Sequence, residues 1–540
     1  MQKQTMSPQQ TVLKQTVPGK TLARLVKQHR LLDYSDDPLT LYQSLTGDGA
    51  DTLLLESAEI DSKDHLKSII MTAAALRITA RGYDITFEAL SNNGAQLLPR
   101  LQAHFGAQSH LLGQCLTVTL ARPAAGLDED SRLKAGSPLD ALRTLLSGID
   151  CGADVNVAPA FEDLFLGGVL AYDLIDAVEP LPQVEASANT CPDFLFYLAE
   201  TLILVDHQSR KAELISAQYA CDTAADTEIA AELETRCQAI LQQCAEPVQL
   251  AELKPVQAEV RVDVSDEAFM AKVDALKQHI IAGDIFQVVP SRSFSLPCPN
   301  PLGAYRALKR SNPSPYMFYF RGPDFTLFGA SPESALKYQA HNNQVEIYPI
   351  AGTRKRGKKA NGEIDFDLDS RIELELRLDK KELSEHLMLV DLARNDIARI
   401  SESGSRKVAE LLKVDRYSHV MHLVSRVTGS LRNDLDALHA YQACMNMGTL
   451  TGAPKVRASQ LIREVEQQRR GSYGGAVGYL NGLGDMDTCI VIRSAFVKDG
   501  LAHIQAGAGV VYDSDPRAEA EETSQKAQAV IAAIKMGGGL

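Results

Sequence analysis

The chain has 540 residues, 45% of them hydrophobic and 23% charged, with a net charge of −14. That balance suits a globular protein large enough to bury a core without disulfide or metal staples, and its acidity excludes a protein built around nucleic acid, which needs a basic face. No apolar run approaches the roughly eighteen residues of a membrane helix, no secretory core follows the polar N-terminus, and the nine cysteines are scattered without a C-x-x-C pair, so the expectation is a cytoplasmic protein with reduced thiols and no zinc framework.

Residues 1–30 are polar and weakly patterned and read as a flexible lead, with organised sequence beginning near Leu31. The stretch 51–57 (DTLLLES) reads as a short buried strand. Loop-like polar stretches lie at 177–193 and 245–263. The second marks the expected boundary between an N-terminal portion, 31–255, and a C-terminal portion, 256–535; the Gly-rich 536–540 is expected to be a disordered tail. Past the boundary, Phe269, Val273, Leu276 and Ile280 fall at helical spacing, with Ser265 or Asp266 as cap and Gly283 as stop. Strand-like runs follow at 285–289, 325–330, 345–350, 474–480, 488–497 and 502–512, and helical patterns at about 367–400, 436–446, 454–468 and 516–535. Helices and strands interleave in no βαβ rhythm, which implies an α+β protein with extensive antiparallel β-sheets flanked by helices.

Several motifs invite a function and fail. Residues 352–358 (GTRKRGK) have P-loop spacing, but Lys359 stands where Ser or Thr must reach Mg²⁺. His419 and His422 share a face if helical, yet no further zinc ligands accompany them. Cys115 lacks the surroundings of a glutaminase nucleophile, so the chain does not release ammonia from glutamine by itself. Two acidic pairs remain. Glu382 and Glu385 are three apart beside an apolar stripe of Leu383, Leu387 and Val390. Glu519 and Glu522 repeat that spacing beside Ala527, Val530, Ile531 and Ile534. Each pair alone is more often solvated helix surface. Facing each other, the two would form the oxygen-only cavity that Mg²⁺ favours.

The stretches 285–292 (IFQVVPSR), 329–334 (GASPES), 349–353 (PIAGT), 382–386 (ELSEH), 451–455 (TGAPK) and 507–510 (GAGV) resemble, in order and spacing, the chorismate-utilising enzyme family. With 54–57 (LLES) and 312–318 (NPSPYMF), the resemblance is to its anthranilate synthase component I branch and runs from about residue 34. It implies the large fold of that family, and an enzyme that converts chorismate and ammonia to anthranilate and pyruvate. Ammonia adds at C2 as the C4 hydroxyl leaves, and pyruvate is then eliminated. By resemblance, Mg²⁺ is bound directly by Glu385 and Glu522, with Glu382 and Glu519 completing its shell. Glu333 holds the general-acid position, where burial would raise its pKa enough to serve. Gln287, Thr449 and His422 join the catalytic set, His422 for pyruvate elimination. Arg493, read as lying inside an apolar strand, is the cation for the side-chain carboxylate. Tyr473, Gly507, Ala508 and Gly509 contact the substrate, and Gly352 and Thr353 its ring carboxylate.

Two positions choose the branch. Isochorismate and salicylate synthases place Lys at Gln287 to activate water, and aminodeoxychorismate synthases place Lys at Ala351 to attack the ring. Neither lysine is present, and ammonia needs neither. The resemblance further implies a tryptophan site formed by Glu56, Ser57, Lys67, Pro315, Tyr316 and Met317, feedback inhibition, and a separate glutamine amidotransferase subunit in a heterotetramer. The absence of tryptophan from the chain would let it be translated when that amino acid is scarce. An aminodeoxychorismate synthase-like enzyme and a non-catalytic tryptophan sensor are the alternatives.

Overall fold

The Phe194–Asp206 strand is buried along almost its whole length, without the alternation of a half-exposed strand. Both faces of its sheet must therefore be covered. In the computed structural model, which describes residues 21–57, 66–124, 126–152, 164–245, 250–359, 361–417 and 420–540, this strand pairs antiparallel with Lys67–Arg81, Lys211–Ala220 and Phe165–Leu170. Thr52–Glu56 continues the sheet from Lys67–Arg81 to Tyr316–Arg321, with Leu55 opposite Phe318. Phe165–Leu170 continues it to Ala476–Asn481. The boundary expected near 255 thus separates no sheets, because 23 strands form one hydrogen-bonded network across it. One apolar cluster takes Leu53, Ile69, Phe165 and Tyr197 from before that point and Phe318, Phe320, Val477 and Phe496 from after it. Each such fully buried side chain contributes about 1.5–3 kcal/mol, so the two portions share a core. Antiparallel sheet flanked by helices is the α+β architecture expected. Among the described residues no helix is long and apolar enough to cross a membrane.

The chain's ends are better held than their composition suggests. Residues 1–20 lie outside the described residues, but Ala23–Leu32 is a strand, paired with Lys211–Ala220 from Arg24 opposite Ala220 onward. The stretch 1–30, expected to be a flexible lead, is thus a paired strand over residues 23–30. At the other end the helix runs to Gly537, Asn300 N–H donates to Gly538 O at 2.9 Å, and Gly539 N–H donates to Lys254 O at 2.9 Å. The expected disordered tail is a docked one, since its backbone groups find partners that a Gly-rich composition does not announce.

Helix Asp266–Ile281 starts where the spacing required: the Ser265 side chain accepts from the Ala268 amide, and Phe269, Val273 and Leu276 are buried. The 367–400 pattern is two helices, Phe366–Leu378 and Lys380–Ile400. Asp379 stands extended between them, its side chain accepting from the Lys381 and Glu382 amides. The second helix buries His386, Leu389, Val390, Ala393, Ile397 and Ile400, while Leu387 is 47% exposed. Its anchoring face is rotated from the expected stripe, and Glu382 and Glu385 are partly buried rather than on open surface. The C-terminal helix, Pro516–Gly537, opens on an Asp515 cap with Pro516 in its first turn, where a missing N–H costs nothing. It buries Ala527, Val530, Ile531 and Ile534 as expected.

Three strand expectations are shortened. The 285–289 run yields only Gln287–Val288, paired with Gly452–Ala453. The 488–497 run breaks into Met486–Ile490 and Ser494–Lys498, and 502–512 ends at Gly507. In each case the interruption falls on residues that border the candidate site.

Candidate active site

Glu382 and Glu385 occupy the first turns of the Lys380–Ile400 helix, and Glu519 and Glu522 the first turns of the C-terminal helix. The pairs sense each other. Burial pushes Glu385 up to about 7; Lys381 opposes this, and the charges of Glu382, Glu519 and Glu522 add to it. Glu519 is likewise raised, first by burial, and feels both Glu522 and Lys381 from the facing helix. The two acidic faces therefore oppose one another.

Cations temper this charge. Arg354 donates to Glu382 Oε1 at 2.8 Å, Lys381 stands 3.8 Å from Glu385, and Lys526 pairs with Glu522 at 2.5 Å. The carboxylates do not close to ligand distance, and among the described residues no three His, Cys, Asp or Glu side chains form a metal-holding group. Their chemistry nonetheless fits a hard divalent ion. Glu519 is 4% exposed and its Oε2 is buried without a hydrogen-bond partner, which a cation or its bound water would satisfy. Lys381 and Lys526 are flexible side chains that an ion can displace.

Beside the glutamates stands Glu333, 7% exposed. Burial pushes its carboxyl up to about 8, against a hydrogen bond from Thr449 and the charges of Arg493 and Lys526. Thr449 Oγ1 donates to Glu333 Oε1 at 3.1 Å. At neutral pH Glu333 is thus protonated, the form a general acid needs.

Arg493 is not in a strand. It sits at φ +50° between Met486–Ile490 and Ser494–Lys498, a left-handed turn that aims its side chain away from the sheet register. Burial lowers its pKa, opposed by Tyr473, Glu522 and Glu333. Among the described residues no carboxylate lies within ion-pair distance of its guanidinium, so its charge is available to a ligand.

His422 lies in the Val420–Ser430 strand, not on a helix; His419 lies outside the described residues. Its Nδ1 is 2.9 Å from Thr353 Oγ1. Burial and Arg493 push it down to about 4, leaving a neutral ring at neutral pH. Thr353 and Gly352 belong to the Ile350–Lys355 strand opposite, which also removes the P-loop reading. Gly352 has φ +73°, and a methyl group there would lie 3.2 Å from Glu382 Oε2. The Gly352 backbone is thereby brought against the acidic pair.

Tyr473 is buried, pushed up to about 12 mainly by burial, and its hydroxyl faces the Gly507 backbone. A side chain at Gly507 would strike Pro290 O at 2.8 Å and Tyr473 Oη at 3.0 Å. Ala508 N–H donates to Pro290 O at 3.1 Å. Gln287 lies over Gly509, its Oε1 buried and unpartnered.

The residues expected at the regulatory site also converge, because Glu56 lies opposite Met317 on one side and Ser68 on the other. Ser57 N–H donates to Lys67 O at 3.2 Å. Glu56 is not open: Tyr305 donates to its Oε2 at 2.6 Å and Lys309 to its Oε1 at 2.5 Å. Pro315 is buried, and the Tyr316 hydroxyl reaches Asp487 at 3.3 Å.

Sequence reasoning missed Lys526, which also donates to Gly507 O at 3.0 Å, and Tyr305 and Lys309. Lys526 was findable, lying four residues after Glu522 on one helix face. Tyr305 and Lys309 left no signal, since only the packing of the Pro301–Ser311 helix against the sheet brings them to Glu56.

The family model for chorismate binding enzymes matches residues 113–532. The chain is 57% identical over 525 residues to anthranilate synthase component 1 of Vibrio cholerae, covering 97% of each chain. It is similar to the crystal structure of anthranilate synthase component I from Streptococcus pneumoniae, with a TM-score of 0.67, 29% identity, and coverage of 88% of this chain and 94% of the other. The menaquinone-specific isochorismate synthase of Escherichia coli shares the fold, with a TM-score of 0.64, 17% identity and 96% of each chain covered. The chain therefore belongs to the chorismate binding enzymes and, among them, to the anthranilate synthase component 1 family.

Proposed function

We propose that this chain converts chorismate and ammonia to anthranilate, pyruvate and water, receives its ammonia from a separate glutamine amidotransferase subunit in a heterotetramer, and is inhibited by tryptophan. Glu385 and Glu522 would hold Mg²⁺ directly, with Glu382 and Glu519 completing its shell. The bound ion supplies electron withdrawal through the ring carboxylate. Gly352 and Thr353 position that carboxylate, and Arg493 pairs with the carboxylate of the enolpyruvyl side chain. Tyr473 and the close backbone of Gly507, Ala508 and Gly509 set the depth of the ring, with Gln287 behind them.

The protonated Glu333 donates to the departing C4 hydroxyl as ammonia bonds to C2, so water leaves and the added nitrogen sheds one proton. Thr449 keeps the Glu333 carboxyl oriented. Neutral His422 then accepts the C2 proton as the ring aromatises and the side chain departs as pyruvate. A base of such low proton affinity suffices where aromatisation drives the step.

The observation that carries the reading is Glu333, a buried carboxyl pushed up to about 8, beside Arg493, which has no carboxylate within ion-pair distance among the described residues. The test is to incubate the chain with chorismate, an ammonium salt and Mg²⁺. Anthranilate fluorescence and pyruvate should rise in equal amounts, stop on chelation, return with Mg²⁺ and fall with added tryptophan. The para isomer as product, or none above background, overturns the reading.

A further inference from the structure

Helix Lys455–Glu466 and the turn after it hold a buried ion pair that touches no reacting atom. Arg470 is 1% exposed. Its guanidinium grips Glu466 in a fork, Nε to Oε2 at 2.9 Å and Nη2 to Oε1 at 2.6 Å. Nη1 donates to Leu450 O at 2.8 Å and Nη2 to Val289 O at 2.7 Å. The flat cation also lies 4.7 Å from the Tyr172 ring centroid and 5.6 Å from that of Tyr473. Glu466 Oε1 accepts in addition from the Ser291 amide and hydroxyl, both at 2.8 Å.

These partners belong to three separate segments. Val289 and Ser291 follow Gln287, and Ser291 stands opposite Gly507. Leu450 follows Thr449, the donor to Glu333. Tyr473 faces Gly507. Removing water from both ions is costly, and a buried pair is weak evidence for stability alone; its fork geometry fixes direction more than it adds energy.

We propose that the Arg470–Glu466 pair is the positioning element that sets Thr449, the Gln287–Ser291 segment and Tyr473 in one register, so that the proton of Glu333 and the substrate contacts are aligned together. The proposal rests on the reading of Glu333 as general acid. Arg470 and Glu466 are positioning residues, since their own polar atoms are spent on the protein. Lys cannot replace Arg here without loss, because a point charge cannot serve Glu466 and two carbonyls in one plane.

The experiment compares Arg470→Met, Arg470→Lys, Glu466→Gln and Arg77→Met in the intact chain with chorismate, ammonium and Mg²⁺. Arg77 is a comparator, paired with Asp51 at 2.7 Å and with Glu88 away from these segments. Arg470→Met should lower kcat on the order of 10- to 100-fold, the cost of a displacement of about 1 Å at reacting groups. It should also move the alkaline limb of kcat/KM upward. Glu333 faces Thr449, Arg493, Lys526 and the Tyr417 hydroxyl, and of these only the Thr449 donor, which favours the carboxylate, is withdrawn. Glu466→Gln should move both readouts in the same direction, and Arg470→Lys should restore part of kcat. Arg77→Met should lower the melting temperature and leave kcat and the limb in place. Should Arg470→Met fail to fold, Glu466→Gln and Arg470→Lys carry the test. Wild-type kcat and an unmoved limb in those variants overturn the proposal, whereas a wild-type chain that makes no anthranilate overturns the functional reading instead.

Discussion

Two regions of this protein hold carboxylates with opposite habits. Around Arg470, Glu466 accepts from four donors, two on the guanidinium and two on Ser291. At the acidic site, among the described residues, Glu519 has one buried oxygen with no donor, Glu333 receives one hydroxyl, and Glu385 has a lysine 3.8 Å away. Glu466, Glu519 and Glu333 are buried and Glu385 partly so, so what differs most is satisfaction. A buried carboxylate with all its acceptors used is part of the scaffold. One left short of donors is raised in pKa and keeps capacity for a proton, a cation or a water. The contrast separates structural from reactive acid groups without reference to any relative.

The sharpest way to break that contrast is Glu385→Gln. If the cleft carboxylates exist for a ligand, the substitution should lower kcat/KM for anthranilate formation on the order of 10³-fold. The melting temperature should hold or rise, because one of four like charges is gone. Retained activity with a falling melting temperature would place Glu385 with the scaffold instead. Glu333→Gln follows in size, with a loss of about 10²- to 10⁴-fold in kcat and disappearance of the rate decline expected as pH rises through about 8. Stability adds a second readout. The folded pKa of Glu333 lies above its ordinary 4.5, so the native chain keeps a proton that the unfolded chain releases. Wild type therefore loses stability as pH rises from about 4.5 to about 8, and the variant lacks that slope. Parallel stability curves across this window would remove Glu333 from the under-satisfied group.

How much of this was legible before the fold was known follows the same line. The i, i+3 glutamates, the Ser265 cap and the Ala527–Ile534 stripe are local periodicities, and they held. The opposition of Glu385 to Glu519 and Glu522 is tertiary, and helical spacing says nothing of which helix meets which; only the motif resemblance anticipated it. Arg493 was misread as a strand residue because Ile490, Val491 and Ile492 carry strand propensity, while a left-handed φ at an arginine has no such signature. Arg470 escaped notice because 467–472 (QQRRGS) reads as a solvated turn, and charge runs usually are. Leu387 shows a subtler failure. Several registers of an apolar stripe fit one helix, and the neighbouring strands chose among them.

The residues proposed for tryptophan binding give the smallest and most discriminating test, because Glu56 belongs by its contacts to the satisfied group. Tyr305 and Lys309 already hold one bond to each of its oxygens, so an effector's ammonium would compete with Lys309 for the carboxylate. Glu56→Gln keeps the shape and the Tyr305 bond but drops the charge. It should cost about 1–3 kcal/mol in stability, as a buried charged partner is lost, and leave kcat with ammonium within about two-fold in the absence of tryptophan. The concentration of tryptophan giving half inhibition should rise about 10-fold, a coupling of ordinary size between distant sites. An unchanged inhibition curve with the stability loss intact would make Glu56 purely scaffold. A raised curve would show that a fully paired carboxylate can still be a binding group where its partner is a mobile lysine, and the division drawn from the cleft would then apply to the partner's freedom as well as to the number of donors.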